Sequence, residues 1–244
     1  MRRNNKSYFR NYNKLNFENV MIKMRREELV SFFKKKKPKN ILEIGCGNES
    51  VVHYYNSYKN FIIVEPSIDF IKKNTFSKIK NKGLDIHNSY LEDFKNDKNI
   101  NFDFIICSSV LHETKNPKIF LKKINNLSNR ETIIYFNVPN ALSLHRLLAV
   151  ESGLINNPFV RSKTQKKMQQ KIIYSIETLT KELKNQGFSV IFRNTSFLKP
   201  FTHNQMHKVI KEKIISKQIL IGMKNIIKFL PNFGAEINIY AKKK

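Results

Sequence analysis

Residues 39–50 read KNILEIGCGNES: an apolar run of Ile41, Leu42 and Ile44 that turns at Gly45 and Gly47, with the acid Glu43 two places before the first glycine. An unbroken aliphatic run suits a parallel strand buried on both faces. Glycines at its carboxyl end permit positive φ and close approach of a ligand to the backbone. Taken alone, such a corner is also any strand-to-helix turn, and the spacing downstream decides between the two. A second apolar run, residues 60–64, ends in Glu65, eighteen residues past Gly47, and Pro66 and Ser67 follow. An ionised carboxylate at the end of the second strand of a doubly wound sheet accepts hydrogen bonds from both hydroxyls of a ribose. That acid argues against a 2′-phosphate. The turn also lacks the third glycine that makes room for a pyrophosphate, so a ligand without one fits better.

Two later stretches extend the pattern: residues 88–94 read NSYLEDF and residues 102–112 read FDFIICSSVLH. The four motifs, in this order over residues 39–113, resemble those of the class I S-adenosylmethionine-dependent methyltransferases. The resemblance implies a Rossmann-like, doubly wound, mostly parallel α/β sheet of seven strands with an antiparallel last strand, and S-adenosylmethionine as cofactor. It implies Glu43 and the backbone of Gly45, Cys46 and Gly47 near the methionine portion, Glu65 on the ribose, Tyr90 and Leu91 beside adenine, and Ser108 among the cofactor contacts. Glu49 departs from the pattern, standing where many members carry glycine. Residues 136–146, FNVPNALSLHR, and 197–201, FLKPF, are similar to a branch associated with bacterial polysaccharide biosynthesis, which together with two pocket-roofing insertions points to O-methylation of a small or glycan-linked acceptor, with N-methylation as an open alternative.

A chain of 244 residues, 41% hydrophobic, is long enough for one sizeable α/β domain. The first twenty residues are polar and basic, and no run approaches the roughly 18–20 apolar residues that span a bilayer, so the expected location is cytoplasmic. The two cysteines, Cys46 and Cys107, suggest neither a disulfide framework nor a zinc site. The formal charge of +26 invites an RNA-binding reading, in which a basic arm docks nucleic acid. Against it, the cations are 36 Lys and only 9 Arg in a chain crowded with Asn and Ile, which reads as compositional bias.

Along the chain, residues 1–15 read as a flexible basic arm, residues 16–244 as the catalytic domain, and residues 17–33 as a helix covering the first strand. Strands are predicted near 40–45, 60–65, 84–88, 102–107, 131–137, 188–194 and 235–241. Two helical insertions, near 140–174 and 199–233, leave from the carboxyl ends of strands, where they can roof a pocket. Within the second, residues 213–230 predict one basic amphipathic helix, either a lid on the core or a contact with an anionic membrane.

Methyl transfer from a sulfonium depends mainly on positioning, and a base is needed mainly for a hydroxyl or acidic-carbon acceptor. His112, with Glu113 beside it, is the first candidate base; it can equally pack the turn. His145 is the alternative base, and Arg146 next to it can meet a phosphate or carboxylate on the acceptor or lie solvated. Asn137 and Asn140 can bind acceptor polar groups or satisfy their own turn. His203 and His207, one helical turn apart, have a metal-binding spacing without a third ligand, so no metal is expected.

Overall fold

The structure is a computed structural model and describes residues 3–244. Seven strands, β1 (Asn40–Ile44), β2 (Asn60–Val64), β3 (Leu84–His87), β4 (Phe104–Ser108), β5 (Ile133–Pro139), β6 (Phe188–Ser196) and β7 (Glu236–Lys243), form one sheet in the order β3-β2-β1-β4-β5-β7-β6. The first five pair in parallel, and β7 runs antiparallel to both β5 and β6. Each strand lies within two residues of its predicted span, and the fold is the Rossmann-like one. The order reverses beside β1, so the ends of β1, β2 and β4 open a crevice where open α/β sheets take ligands.

Alternation divides the core. Leu42, Ile44, Ile62, Ile105 and Phe136 face one side, against Phe120, Leu121 and Ile124 of α4 (Pro117–Leu127) and Leu179 and Leu183 of α7 (Ile176–Asn185). Ile41, Phe61, Ile63, Phe104 and Ile106 face the other, against α2 (Glu18–Lys36) through Leu29 and Phe33, and α3 (Ile68–Lys73) through Phe70. The buried stripe of α2 repeats at helical spacing through Glu18, Met21, Ile22, Arg25, Arg26, Leu29 and Phe33, so the face that docks on the sheet also carries charge into the interior.

Two expectations are corrected. Within the arm predicted for residues 1–15, Met1 and Arg2 lie outside the described residues, but Asn5–Tyr12 form a helix, α1, capped by Asn4. Its rings of Tyr8, Phe9 and Tyr12 surround Phe70 of α3, and Asn5 Nδ2 donates to the Pro66 carbonyl at 2.9 Å. The predicted helix over 213–230 is broken. α8 (His203–Lys211) ends before Lys213, which adopts φ +58°, and α9 (Lys217–Asn225) gives way to a 3-10 turn, Ile226–Lys228. Ile215, Leu220 and Met223 pack on a core of Phe17, Met21, Phe197 and Met206, as a lid would, whereas Ile219 and Phe229 stay exposed. The first insertion contains α5 (Leu144–Glu151) and α6 (Lys163–Lys167). Among the described residues no helix is long and apolar enough to cross a membrane.

Candidate active site

Two cavities meet above the carboxyl ends of the parallel strands. The first, about 380 Å³, is lined by Gly45 and Gly47 after β1, Glu65 and Pro66 after β2, Tyr90 and Leu91 after β3, and Ser108 at the end of β4. The second, about 780 Å³, lies under the two insertions and is lined by His112, Asn140, His145, Arg146 and Lys199 among others. Tyr8, Tyr12, Arg25, Ser109 and Glu113 line both, which places them at the junction.

The first cavity fits a nucleoside with a charged tail. Glu65 is 2% exposed; its carboxylate accepts from Ser67 N at 2.8 Å and approaches Gly47 N at 3.5 Å. Burial raises the Glu65 carboxyl, while the Ser67 N–H, Arg3 and the Gly47 N–H oppose the rise. In the cavity lining, two polar atoms are buried without a hydrogen-bond partner among the described residues: Asn48 Oδ1 and Arg26 Nη1. Orphaned groups of this kind are rare in native interiors and mark a place that a ligand completes. Arg26 is otherwise held by the Glu49 carbonyl, 2.6 Å from Nη2, and stands 3.6 Å from Glu43. Gly45 adopts φ +78°, and a Cβ there would come 2.7 Å from Val110 Cγ2. Gly45→Ala should therefore cost about 1–3 kcal/mol in urea unfolding; a loss within error would show the turn to be adaptable.

Glu43 and Cys46 do not line this cavity. Glu43 is fully buried beneath the glycine turn, where it accepts from Ser50 Oγ–H and from Val51 N at 3.2 Å, so it braces the turn from below. The Cys46 thiol lies between Glu65 and Asn74.

At the junction, Ser109 holds φ +57°, its hydroxyl donating to Asn137 Oδ1 at 2.9 Å. Strained non-glycine backbone of this kind is a feature of functional sites. Glu113 is capped by α1: Tyr8 Oη–H donates to it at 2.6 Å and the Arg3 guanidinium pairs with it. Burial lifts Glu113 to about 7, with Arg3 and Tyr8 opposing, and pushes its neighbour His112 down to about 3, helped by the positive charge of Arg25. The His112 Nε2 lies 3.8 Å from Glu113 Oε1, too far for a hydrogen bond, and its Nδ1 has no partner among the described residues. The carboxyl, rather than the imidazole, is thus the group poised near neutral pH.

His112 has a consequence for stability. The folded ring stays neutral where the unfolded ring would protonate, so its contribution is present in full above about pH 6.5 and is withdrawn as pH falls toward 3, by about 1.4 kcal/mol per pH unit. Urea midpoints between pH 6.5 and 4.5 should fall less steeply in His112→Gln. His145, also held far below its usual range by burial, keeps its own share of the slope.

The structure separates the remaining sequence candidates. Asn137 lines neither cavity; its Nδ2 donates to Asn238 Oδ1 at 2.8 Å and Glu236 Oε2 at 3.1 Å, tying β5 to β7. Asn140 borders the second cavity, yet its amide donates to the carbonyls of Asn232 and Gly234, both at 2.9 Å, which secures the insertion. His145 meets Ser143 Oγ at 3.0 Å. The Arg146 guanidinium clips the loop that follows α5, through the carbonyls of Pro158 at 2.8 Å and Val160 at 2.5 Å. His203 is drawn to Lys199 and Glu18 rather than to His207. Sequence reasoning missed Arg3, Tyr8 and Tyr12 of the arm, Arg25 and Arg26 of α2, and Lys199. The adjacent arginines on a helix stripe that is otherwise apolar apart from Glu18 were the available signal.

A family model described as "Methyltransferase domain" matches residues 18–191, the greater part of the chain. No curated protein matches by sequence. Among solved structures, the chain is similar to magnesium protoporphyrin IX methyltransferase from Synechocystis PCC 6803 with bound S-adenosylhomocysteine: 11% identity, TM-score 0.66, covering 98% of this chain and 96% of that one. It is similar to the N-methyltransferase NodS from Bradyrhizobium japonicum WM9, also with S-adenosylhomocysteine, at 10% identity and TM-score 0.55 over 91% and 86% of the two chains. A third likeness is to an S-adenosylmethionine-dependent methyltransferase from Archaeoglobus fulgidus, at 19% identity and TM-score 0.54 over 89% and 94%. At these identities the structural likeness speaks for a shared fold, and the family match supplies the rest: the chain belongs to the methyltransferase domain family, enzymes that transfer a methyl group from S-adenosylmethionine.

Proposed function

We propose that the chain binds S-adenosylmethionine in the first cavity and methylates a small acceptor held in the second. The observation that carries this is the shared wall: a buried ribose-type acid and a glycine turn line one chamber, and Ser109 and Glu113 open it to a larger one. The bound cofactor supplies an electrophilic methyl group on a sulfonium. The chain's own residues then do the positioning. Glu65 holds the ribose hydroxyls, Tyr90 and Leu91 flank adenine, Ser108 borders the cofactor, and the spare Nη1 of Arg26 meets the methionine carboxylate. Glu113 takes a proton from an acceptor hydroxyl, with His112 offering a neutral ring beside it, so oxygen is the proposed acceptor atom.

The second chamber is walled by Leu15, Leu154, Ile155, Met168 and Ile172, which favours an acceptor with an apolar body over an unlinked sugar. A glycan linked to such a body, as the polysaccharide branch implies, also satisfies that wall. The basic arm of the RNA reading is not free, because α1 is seated on the site. Calorimetric titration with S-adenosylhomocysteine, followed by label transfer from methyl-labelled cofactor into a fractionated extract, tests the reading. Absence of any S-adenosylhomocysteine binding would overturn it. Peripheral contact with anionic membranes is supported by exposed Ile219 and Phe229 beside Lys217 and Lys228. It predicts sedimentation with anionic vesicles at low salt that fades as salt is added; no enrichment leaves α9 a lid.

A further inference from the structure

Lys199 is the least expected residue of the second chamber. It follows β6, is 2% exposed and lines the cavity, and its Nζ meets His203 Nδ1 at 3.2 Å. Among the described residues no carboxylate lies within 4 Å of it. A buried ammonium without an anion is costly. The nearest acids, Glu18 and Glu236, are both committed to Arg25. Arg146, 8% exposed in the same wall, is held among the described residues by two carbonyls and the Gln165 amide oxygen. With Glu113 already paired to Arg3 at the junction, Arg25, Lys199 and Arg146 outnumber the remaining acids of this chamber, Glu18 and Glu236, by one. Lys14, Arg161 and Lys167 add positive charge at the solvated rim. Burial, helped by the positive charge of Lys199 and Arg146, keeps the His145 ring neutral and able to complete a hydrogen-bonded seat.

Lys199 and Arg146 belong to the part of the lining that the first cavity does not share, whereas Arg25, Glu113 and Ser109 line both and mark the junction. The same lining carries the apolar side chains of Leu154, Ile155, Met168 and Ile172. We infer that the acceptor is an amphipathic monoanion: a carboxylate seated on Lys199 with Arg146 and His145, an apolar body along the aliphatic wall, and the methyl-accepting atom at the Glu113 junction. A carboxylate suits the seat better than a phosphate dianion because the interior lacks one negative charge. This inference rests on the methyltransferase reading of the two chambers, and it names the class of acceptor.

The test uses the full chain saturated with S-adenosylhomocysteine, so that failure of the cofactor to bind is seen first and counts against the methyltransferase reading alone. Decanoate, decanol, decyl phosphate and decylamine, each below its micellar concentration, are then titrated calorimetrically. Decanoate should bind at least tenfold more tightly than decanol and decylamine, the size of effect that one charge-assisted hydrogen bond gives. Lys199→Met should abolish that preference, leaving decanol and S-adenosylhomocysteine binding unchanged. Equal affinity for decanoate and decanol in the unaltered protein, or no decanoate binding at millimolar concentration, would overturn the inference without recourse to any variant. So would a preference for decyl phosphate, or an undiminished preference for decanoate in folded Lys199→Met.

Discussion

Arg25→Ala should lower the folding free energy by roughly 3–5 kcal/mol, the cost of removing one partner from a buried ion cluster. The guanidinium pairs with Glu18 through Nη2 and Glu236 through Nη1. Burial pushes Glu18 up, but Arg25 and His203 more than offset it and hold the carboxyl well below its ordinary range. Tyr12 Oη–H donates to Glu18 at 2.9 Å and Asn137 Nδ2 to Glu236 at 3.1 Å, so both acids stay in place when the cation is lost. Urea unfolding at pH 7 measures the loss, and Arg25→Met with Glu18→Gln should recover part of it. A loss below 1 kcal/mol would show that the cluster is hydrated and contributes little.

Glu65→Ala should weaken S-adenosylhomocysteine binding by roughly 2–4 kcal/mol, a factor of about 30 to 1000, through the loss of two hydrogen bonds to a charged acceptor. The substitution also removes the acceptor of the Ser67 N–H, so part of its effect falls on the loop after β2. Thermal unfolding of the ligand-free protein separates the two: a change in affinity beyond the change in stability belongs to the ribose. Unchanged affinity by calorimetry would remove Glu65 from the cofactor site.

The sheet was legible because its strands are short aliphatic runs closed by turn residues, and the place of Glu65 was legible because it directly follows the second of those runs; only a 3-10 turn, Val51–His53, lies between β1 and β2. The residues that join the chambers were hidden for identifiable reasons. α1 is eight residues long and polar, too short to be helical on its own; it forms because Tyr8, Phe9 and Tyr12 find Phe70, a contact no local pattern encodes. Arg25 occupies an apolar stripe and reads as the edge of a helix face until Glu236, 211 positions away, is brought beside it. Asn137 and Asn140 carried polar groups suited to an acceptor, but the antiparallel strand and its preceding loop claimed them first. The helix over 213–230 failed at Lys213, whose left-handed backbone is invisible in a hydropathy pattern.

The seating of α1 gives the two chambers a common wall. Arg3, Tyr8 and Tyr12 contribute to the walls of the cofactor chamber, the latter two reach the acceptor chamber as well, and the helix is tied to the far insertion where the Gln169 amide exchanges hydrogen bonds of 3.1 Å with the Asn4 backbone. Displacing α1 would therefore strip part of the lining from both chambers at once, so eight residues near the amino end, far from the motif that first announced the fold, give the two cavities a shared wall.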